Sequence, residues 1–416
     1  MNLHIPPALK HRRFFYLWLG QLISIAGTQM QIWALFWHIR TLTNQPIALG
    51  GIGLARILPV IVFSLIGGAV ADSYNRRNVM FVTQTGAALV AMMLGLLTYL
   101  GKIDLWHIYA LTALQAVAVA FDGPARQAII PNLVPARDLP NAFSLNSIAF
   151  QAGAVIGPAL TGVVIIFGGQ QAVYYFNAIS FLAVIVALVL IGDVPQKRVA
   201  AHANGVSMTA IREGIQFIVT HPIILSSMML DFVATFFASA NTLMPIVARD
   251  ILKVGVVEYG WLSAAQSAGA VLAAVVISQV HELRKQGPLF LGSVVVFGVA
   301  TVFFGLSRSF VVAWILLAIT GAADAVSTII RNTIRQLQTP DHIRGRMTSV
   351  NQIFFQGGPQ LGEIEAGAVA QLFGAPFAII TGGIGCVLGM GLIVAKWPQL
   401  ISYNGDEPGL AGATAD

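Results

Sequence analysis

The stretch SLNSIAFQAGAVIGPALTG, residues 144–162, returns later in the chain as SVNQIFFQGGPQLGEIEAG, residues 349–367. Laid over one another without a gap, at an offset of 205, they share Ser, Asn, Ile, Phe, Gln and three Gly positions. At the same offset Arg126 falls on Arg331 and Pro135 on Pro340. Chance likeness between two Gly-rich helices does not account for so many ungapped matches. The chain is therefore expected to consist of two halves built alike.

Composition says what the halves are made of. Of 416 residues 56% are hydrophobic and 10% charged, against about 25% charged in soluble domains. A net charge of +6 raises nucleic acid as a partner, but the basic residues fall in short loops between apolar segments, which excludes it. The lone Cys386 leaves no intrachain disulfide and little thiol or metal chemistry. No acid spacing suits a metal, and no Walker loop is present, so neither cofactor nor metal is expected.

Crossing a bilayer core of ~30 Å takes about 20 apolar residues at ~1.5 Å each. Twelve such segments are found, roughly at 14–39, 47–71, 78–100, 106–126, 141–168, 171–192, 222–247, 257–280, 288–306, 309–330, 347–373 and 376–396. The basic N-terminus MNLHIPPALKHRR has no convincing cleavage site, and the run from Phe14 is too long for a signal peptide. This predicts an all-α membrane protein of twelve transmembrane helices in two six-helix bundles. Residues 1–193 form the first bundle and 222–398 the second. Residues 194–221 are a cytoplasmic linker with an amphipathic helix, and 399–416 a disordered cytoplasmic tail. With the N-terminus inside, 17 Lys and Arg fall on the cytoplasmic side and 5 outside, with Arg56 left in a segment. That bias fits a multi-pass protein of the plasma membrane, in bacteria the inner membrane, with both termini cytoplasmic.

Gly68-Ala-Val-Ala-Asp72-Ser-Tyr-Asn-Arg76-Arg77 follows the second segment. It resembles the G-x-x-x-D-R-x-G-R-R signature of the major facilitator superfamily, with Ser73 and Asn75 departing from it. Gly68 is expected to permit close helix approach, Asp72 to meet Arg126 or a helix N-terminus, and Arg76 and Arg77 to anchor the loop at anionic lipid. Gly153, Gly157, Pro158 and Gly162 are similar to the G-x-x-x-G-P-x-x-G pattern of superfamily exporters. FDGPARQAIIPNLVP, LPNAFSLNS, RQLQTPDHIRGRM and QLGEIEAG together resemble the branch containing enterobactin and macrolide efflux proteins. In this superfamily two parallel-repeat halves flank the substrate site. The usual basic residue within the fourth helix is missing here, which counts against proton coupling by that route.

By the resemblance, the first, fourth, seventh and tenth helices line the cavity. Gln21, Ser24, Thr28 and Gln31 share one face of the first, with Trp33 adding aromatic surface. Gln115 lies on the fourth, Asp231, Thr235 and Thr242 on the seventh, and Thr320, Asp324, Ser327, Thr328 and Arg331 on the tenth. Asp122 and Arg126, one turn apart, read as an interfacial pair. Interhelical hydrogen bonding is the competing use of each hydroxyl and amide. Acids inside a bilayer are costly and suggest a watered crevice.

In QLGEIEAG, Glu363 and Glu365 are ~200° apart on a helix and cannot share a face. Glu363 continues a polar face with Gln356 and Gln360, and is the expected carrier of a coupling proton with Asp231 or Asp324. Glu365 lies with Gly358 and Gly362 on the small-residue face, and its expected partner is Arg56. The depths agree, at about 30 Å from Arg76 and about 28 Å from Arg346 respectively.

These readings point to a secondary exporter of a medium-sized amphipathic compound, a siderophore, macrolide or other drug, exchanging it for protons by alternating access. Its partners would be small-molecule substrate, protons and the bilayer, in a monomer without nucleic acid. No enzyme motif appears. A lysophospholipid flippase or importer of the same fold, and a non-transporting membrane scaffold or sensor, are the alternatives.

Overall fold

Where the apolar segments end, residues that stop or start helices take over. The Asn75 side chain caps one helix by accepting from the Arg77 amide at 3.0 Å. Asp104 and His107 form a capping box at the start of the next. Gly169, at φ 71, breaks a 53-residue helix in two, a conformation that costs glycine little.

The computed structural model describes residues 6–194, 208–238, 240–280 and 284–405. Its main helices are α1 (Arg12–Leu42), α2 (Pro46–Ser73), α3 (Arg76–Tyr99), α4 (Leu105–Ile129), α5 (Leu139–Ile191), α6 (Met208–Thr220) and α7 (Pro222–Phe237). They continue with α8 (Val256–Ser278), α9 (Gln286–Leu306), α10 (Phe310–Gln338), α11 (Asp341–Phe373) and α12 (Ala375–Lys396). Among the described residues there is no strand, and nine stretches are long and apolar enough to cross a membrane. The polar helices α1 and α11, and the two arms of α5 counted separately, complete the twelve. Residues 195–207 of the linker lie outside the described residues, while its amphipathic helix α6 packs Phe217 and Ile218 against Ile224, Met228, Met347 and Val350.

Two compact units divide the chain, Met1–Thr43 with Ala55–Val206 and Asn44–Leu54 with Ser207–Asp416. In the first, α1 lies between the two arms of α5. A Cβ on Gly153 would meet Ile25 at 2.6 Å, one on Gly157 would meet Gln29 at 2.6 Å, and one on Gly20 would meet the Ala183 carbonyl at 2.9 Å. Small residues thus bring these backbones together, and the glycines of the exporter-like pattern serve as this seam. Pro158 and Gly162 are buried beside it. In the second unit Gly358 packs on Phe232 and Thr235 of α7. Since Gly358 repeats Gly153 and α7 repeats α1, each unit uses the same contact.

Sequence had assigned α2 whole to the first half. Its opening residues instead belong to the second unit, because glycines let them press on α11. A Cβ on Gly50 would meet the Glu363 carbonyl at 2.8 Å, and one on Gly367 would meet Gly50 at 3.0 Å.

The expected tail also begins later than 399. Residues 399–405 fold back onto α9, burying Leu400 and Tyr403. The Tyr403 carbonyl accepts from the Gly287 amide at 2.8 Å, which satisfies a free N–H at the start of α9. Residues 406–416 lie outside the described ones.

Candidate functional site

The charged residues of the second unit gather where α7 and α10 meet. Arg331 donates from Nη1 to the Asp231 carboxylate, and each side chain is 3% exposed. A second Arg331 nitrogen, Nη2, donates to Thr328 Oγ1 at 2.8 Å. Asp324 is half-buried two turns before Arg331 on α10, near enough to interact electrostatically with Arg331 and Asp231. One turn beyond, Arg335 is buried and donates to Asn332 and to Asn351 of α11.

Helical spacing explains the gathering. Asp324, Thr328, Arg331 and Arg335 recur every three or four residues and so form one stripe. Burying a charge among apolar helices is costly unless it is paired, so the stripe turns toward the acid of α7. Asp231 therefore does not lie open to a watered crevice as sequence suggested; its carboxylate is held by Arg331. Thr235 Oγ1 donates to the Asp231 carbonyl at 2.8 Å. Thr242 leaves the stripe, because α7 ends at Phe237 and Thr242 sits in the short turn Ala240–Leu243.

On α11, Glu363 is 6% exposed and Gln360 is buried. Both face the opening of α2, where a Cβ on Gly53 would meet the Glu363 carboxylate at 3.0 Å and also the Gln360 carbonyl. The polar face of α11 is thus a packing face here. The Gln356 side chain lies outside the described ones. Glu365 is half-buried in the second unit and Arg56 half-buried in the first.

The first unit spends its amides internally. Gln31 Nε2 donates to Gln115 Oε1 at 2.5 Å, and Asn177 Nδ2 donates to Gln31 Oε1 at 2.7 Å. Ser180 Oγ donates to Asn177 Oδ1 at 3.0 Å. Gln31 and Gln115, expected to line a cavity, instead tie α1, α4 and the second arm of α5. Gln21 and Ser24 are likewise buried, whereas Thr28 and Trp33 are half-buried.

The signature loop also works inward. Arg76 Nη1 donates to the Ala128 carbonyl at 2.8 Å and to Asn132 Oδ1 at 3.1 Å. Arg77 Nε donates to the Leu188 carbonyl at 2.7 Å. Both guanidiniums staple helix ends instead of reaching for lipid. Arg126 pairs with Asp122, a buried carboxylate that also accepts from Thr83 at 3.0 Å and Gln84 at 2.8 Å. Asp122 is thus a buried hub and not an interfacial partner. The Asp72 side chain lies outside the described ones. The close approach of α2 is made by Gly67, whose Cβ would strike the Ala120 carbonyl, and not by Gly68, whose Cβ would meet nothing within 4 Å.

Sequence missed the Asp231–Arg331 pair, the Asp122 hub and the role of Arg335. The available signal was one acid on the seventh polar stripe and one base on the tenth.

The profile of the transmembrane secretion effector family matches residues 6–404. The multidrug efflux pump Tap of Mycolicibacterium fortuitum is 25% identical over 387 residues, covering 90% of this chain and 93% of the relative. The enterobactin exporter EntS of Shigella boydii is 25% identical over 344 residues, covering 82% of this chain and 81% of its own. In fold, the chain resembles a bacterial homologue of the human lysosomal transporter Spinster, with a TM-score of 0.73 at 14% identity, over 96% of this chain and 97% of the other.

Proposed function

The chain belongs to the transmembrane secretion effector family of the major facilitator superfamily, and from that premise we propose that it exports an amphipathic siderophore or drug in exchange for protons. A member of this family is a multi-pass membrane transporter of small molecules, not an enzyme. Export, proton exchange, an inner-membrane position with both termini cytoplasmic, and the residues that follow are our reading.

The observation that carries the reading is the buried Arg331–Asp231 pair in apolar helices, with a second carboxylate, Asp324, two turns before Arg331 on the same helical stripe. Asp231 engages Arg331, and Arg335 is taken up by Asn332 and Asn351. A charge on Asp324 is therefore the less closely offset one among apolar helices. Keeping it there is costly, and a proton removes the cost. Taking up that proton leaves Arg331 with Asp231, and losing it gives the guanidinium a second carboxylate to exchange to. Charge movement of this kind couples a proton to a rearrangement of α7 against α10 inside the second bundle, a change able to bias alternating access. Glu363, buried on α11, is the further carboxylate in this scheme. Arg56 and Glu365 are the second charge pair that the residue count proposes, tested by exchanging Arg56→Glu with Glu365→Arg.

Purified protein in vesicles with an imposed ΔpH, offered enterobactin or a macrolide, tests the proposal. The parent builds a substrate gradient that collapses with ΔpH. Asp324→Asn and Glu363→Gln lose the gradient but keep downhill counterflow. Gradients undiminished in both variants overturn the proton role, and a parent that moves neither compound overturns the substrate class.

A further inference from the structure

The signature loop opens onto a groove that none of the transport chemistry above uses. It has a volume of about 580 Å³ and lies wholly in the first unit, between the end of α2, α3 and α4. Along α3 it runs from Val79 to Val90, about 16 Å at 1.5 Å per residue. Half of a ~30 Å hydrocarbon core is about 15 Å, so the groove is as long as one leaflet is deep.

Its ends differ in chemistry. The deep part is apolar, from Val82 and Val90 on one side to Leu114 and Phe121 on the other. At the mouth, the turn between α2 and α3 presents Tyr74 and Asn75 and the first turn of α3 presents Asn78, all exposed. Tyr is at home where hydrocarbon meets head groups. Val82 and Leu114 are 73% and 55% exposed, so the groove is continuous with the bilayer-facing surface. Water would find almost no polar partner inside. A hydrocarbon chain buries about 0.8 kcal/mol per CH₂ against such a wall.

We propose that this groove is a binding site for one membrane phospholipid, its acyl chain along α3 and its head group at Tyr74, Asn75 and Asn78. A polar mouth at one end only, and a trough one leaflet long, fit a single acyl chain with a head group. The seated chain touches Thr83, whose hydroxyl donates to Asp122 at 3.0 Å. The lipid therefore braces the α3–α4 seam that holds the Asp122–Arg126 pair. This inference does not depend on the transported compound or its direction.

Gly86 supplies the test. A Cβ there meets nothing within 4 Å, and Gly86 lines the groove, so Gly86→Phe starts its side chain in the groove's open space. Gly292 on α9 is equally open and outside the groove, so Gly292→Phe is the control. The full chain is purified from membranes in a mild detergent, and bound phospholipid is counted by native mass spectrometry and phosphate assay. Melting curves confirm folding, and Gly86→Leu replaces the Phe variant if that one does not fold. The expected result is a phospholipid retained by the parent and by Gly292→Phe and absent from the Gly86 variant. Adding phosphatidylethanolamine and phosphatidylglycerol vesicles restores it to delipidated parent alone. Equal counts in parent and Gly86 variant, or equal loss in the control, overturn the proposal.

Discussion

The guanidinium of Arg331 on α10 donates to the carboxylate of Asp231 on α7, a hundred residues earlier in the chain. The repeat gives this pair a meaning. Arg331 overlies Arg126, and each arginine holds a buried aspartate, but Arg126 takes Asp122 one turn back on its own helix. The position of Asp122 is occupied in the second half by Ser327, and that of Asp231 in the first half by Ala26. The first unit therefore locks its charge within one helix, while the second stretches it between two. Of the two, only the second pairs opposite charges across two helices, which is why we assign coupling there.

Removing one partner of that pair leaves a buried charge without its neutraliser. Asp231→Asn and Arg331→Gln are each expected to cost about 3–5 kcal/mol. The double variant should recover most of the loss. Thermal melting in detergent checks this, and single variants that melt with the parent would show the pair to be energetically idle.

Gln31 distinguishes packing from substrate contact. Gln31→Leu leaves the Gln115 and Asn177 amides without their shared partner, at a cost of about 1–3 kcal/mol. The expected phenotype is a lower melting temperature with an unchanged half-saturating substrate concentration. A change in that concentration at constant stability would return Gln31 to the cavity wall.

Two adjacent glycines near the end of α2 should behave oppositely. Gly67→Val strikes the Ala120 carbonyl and is expected to destabilise by about 1–3 kcal/mol, as overpacking does. Gly68→Ala enters open space and should be neutral or gain about 0.5–1 kcal/mol from helix propensity. Melting curves of the two single variants decide it, and equal behaviour would mean that close helix approach does not set the choice of residue.

Leu400 tests the refolded end of the chain. Its side chain is fully buried, so Leu400→Ala should cost about 2–5 kcal/mol. A solvated tail would give no change, and an unaltered melting curve would restore that reading.

Much of the fold was legible because hydropathy acts residue by residue. Any stretch of about 20 apolar residues must satisfy its backbone internally once in lipid, so the spans were legible without knowing what they touch. The small-residue face of the Gly153–Gly162 pattern was legible for the same local reason, while its partner α1 was not. Gly67 and Gly68 show the limit, since sequence offers two glycines and only the neighbour at Ala120 selects one.

What the chain alone determined, then, is the number of spans, the twofold repeat, the family and the inventory of polar groups placed inside the membrane. What only the tertiary structure decided is the use of each polar group. Gln31 went to Gln115, Arg76 to Ala128, Asp231 to Arg331, and Glu363 to the glycine face at the start of α2. Spacing along a helix fixes the direction in which a side chain points, but a hydrogen bond or ion pair requires a second atom within about 3 Å. That atom comes from another helix, brought there by packing of the whole unit.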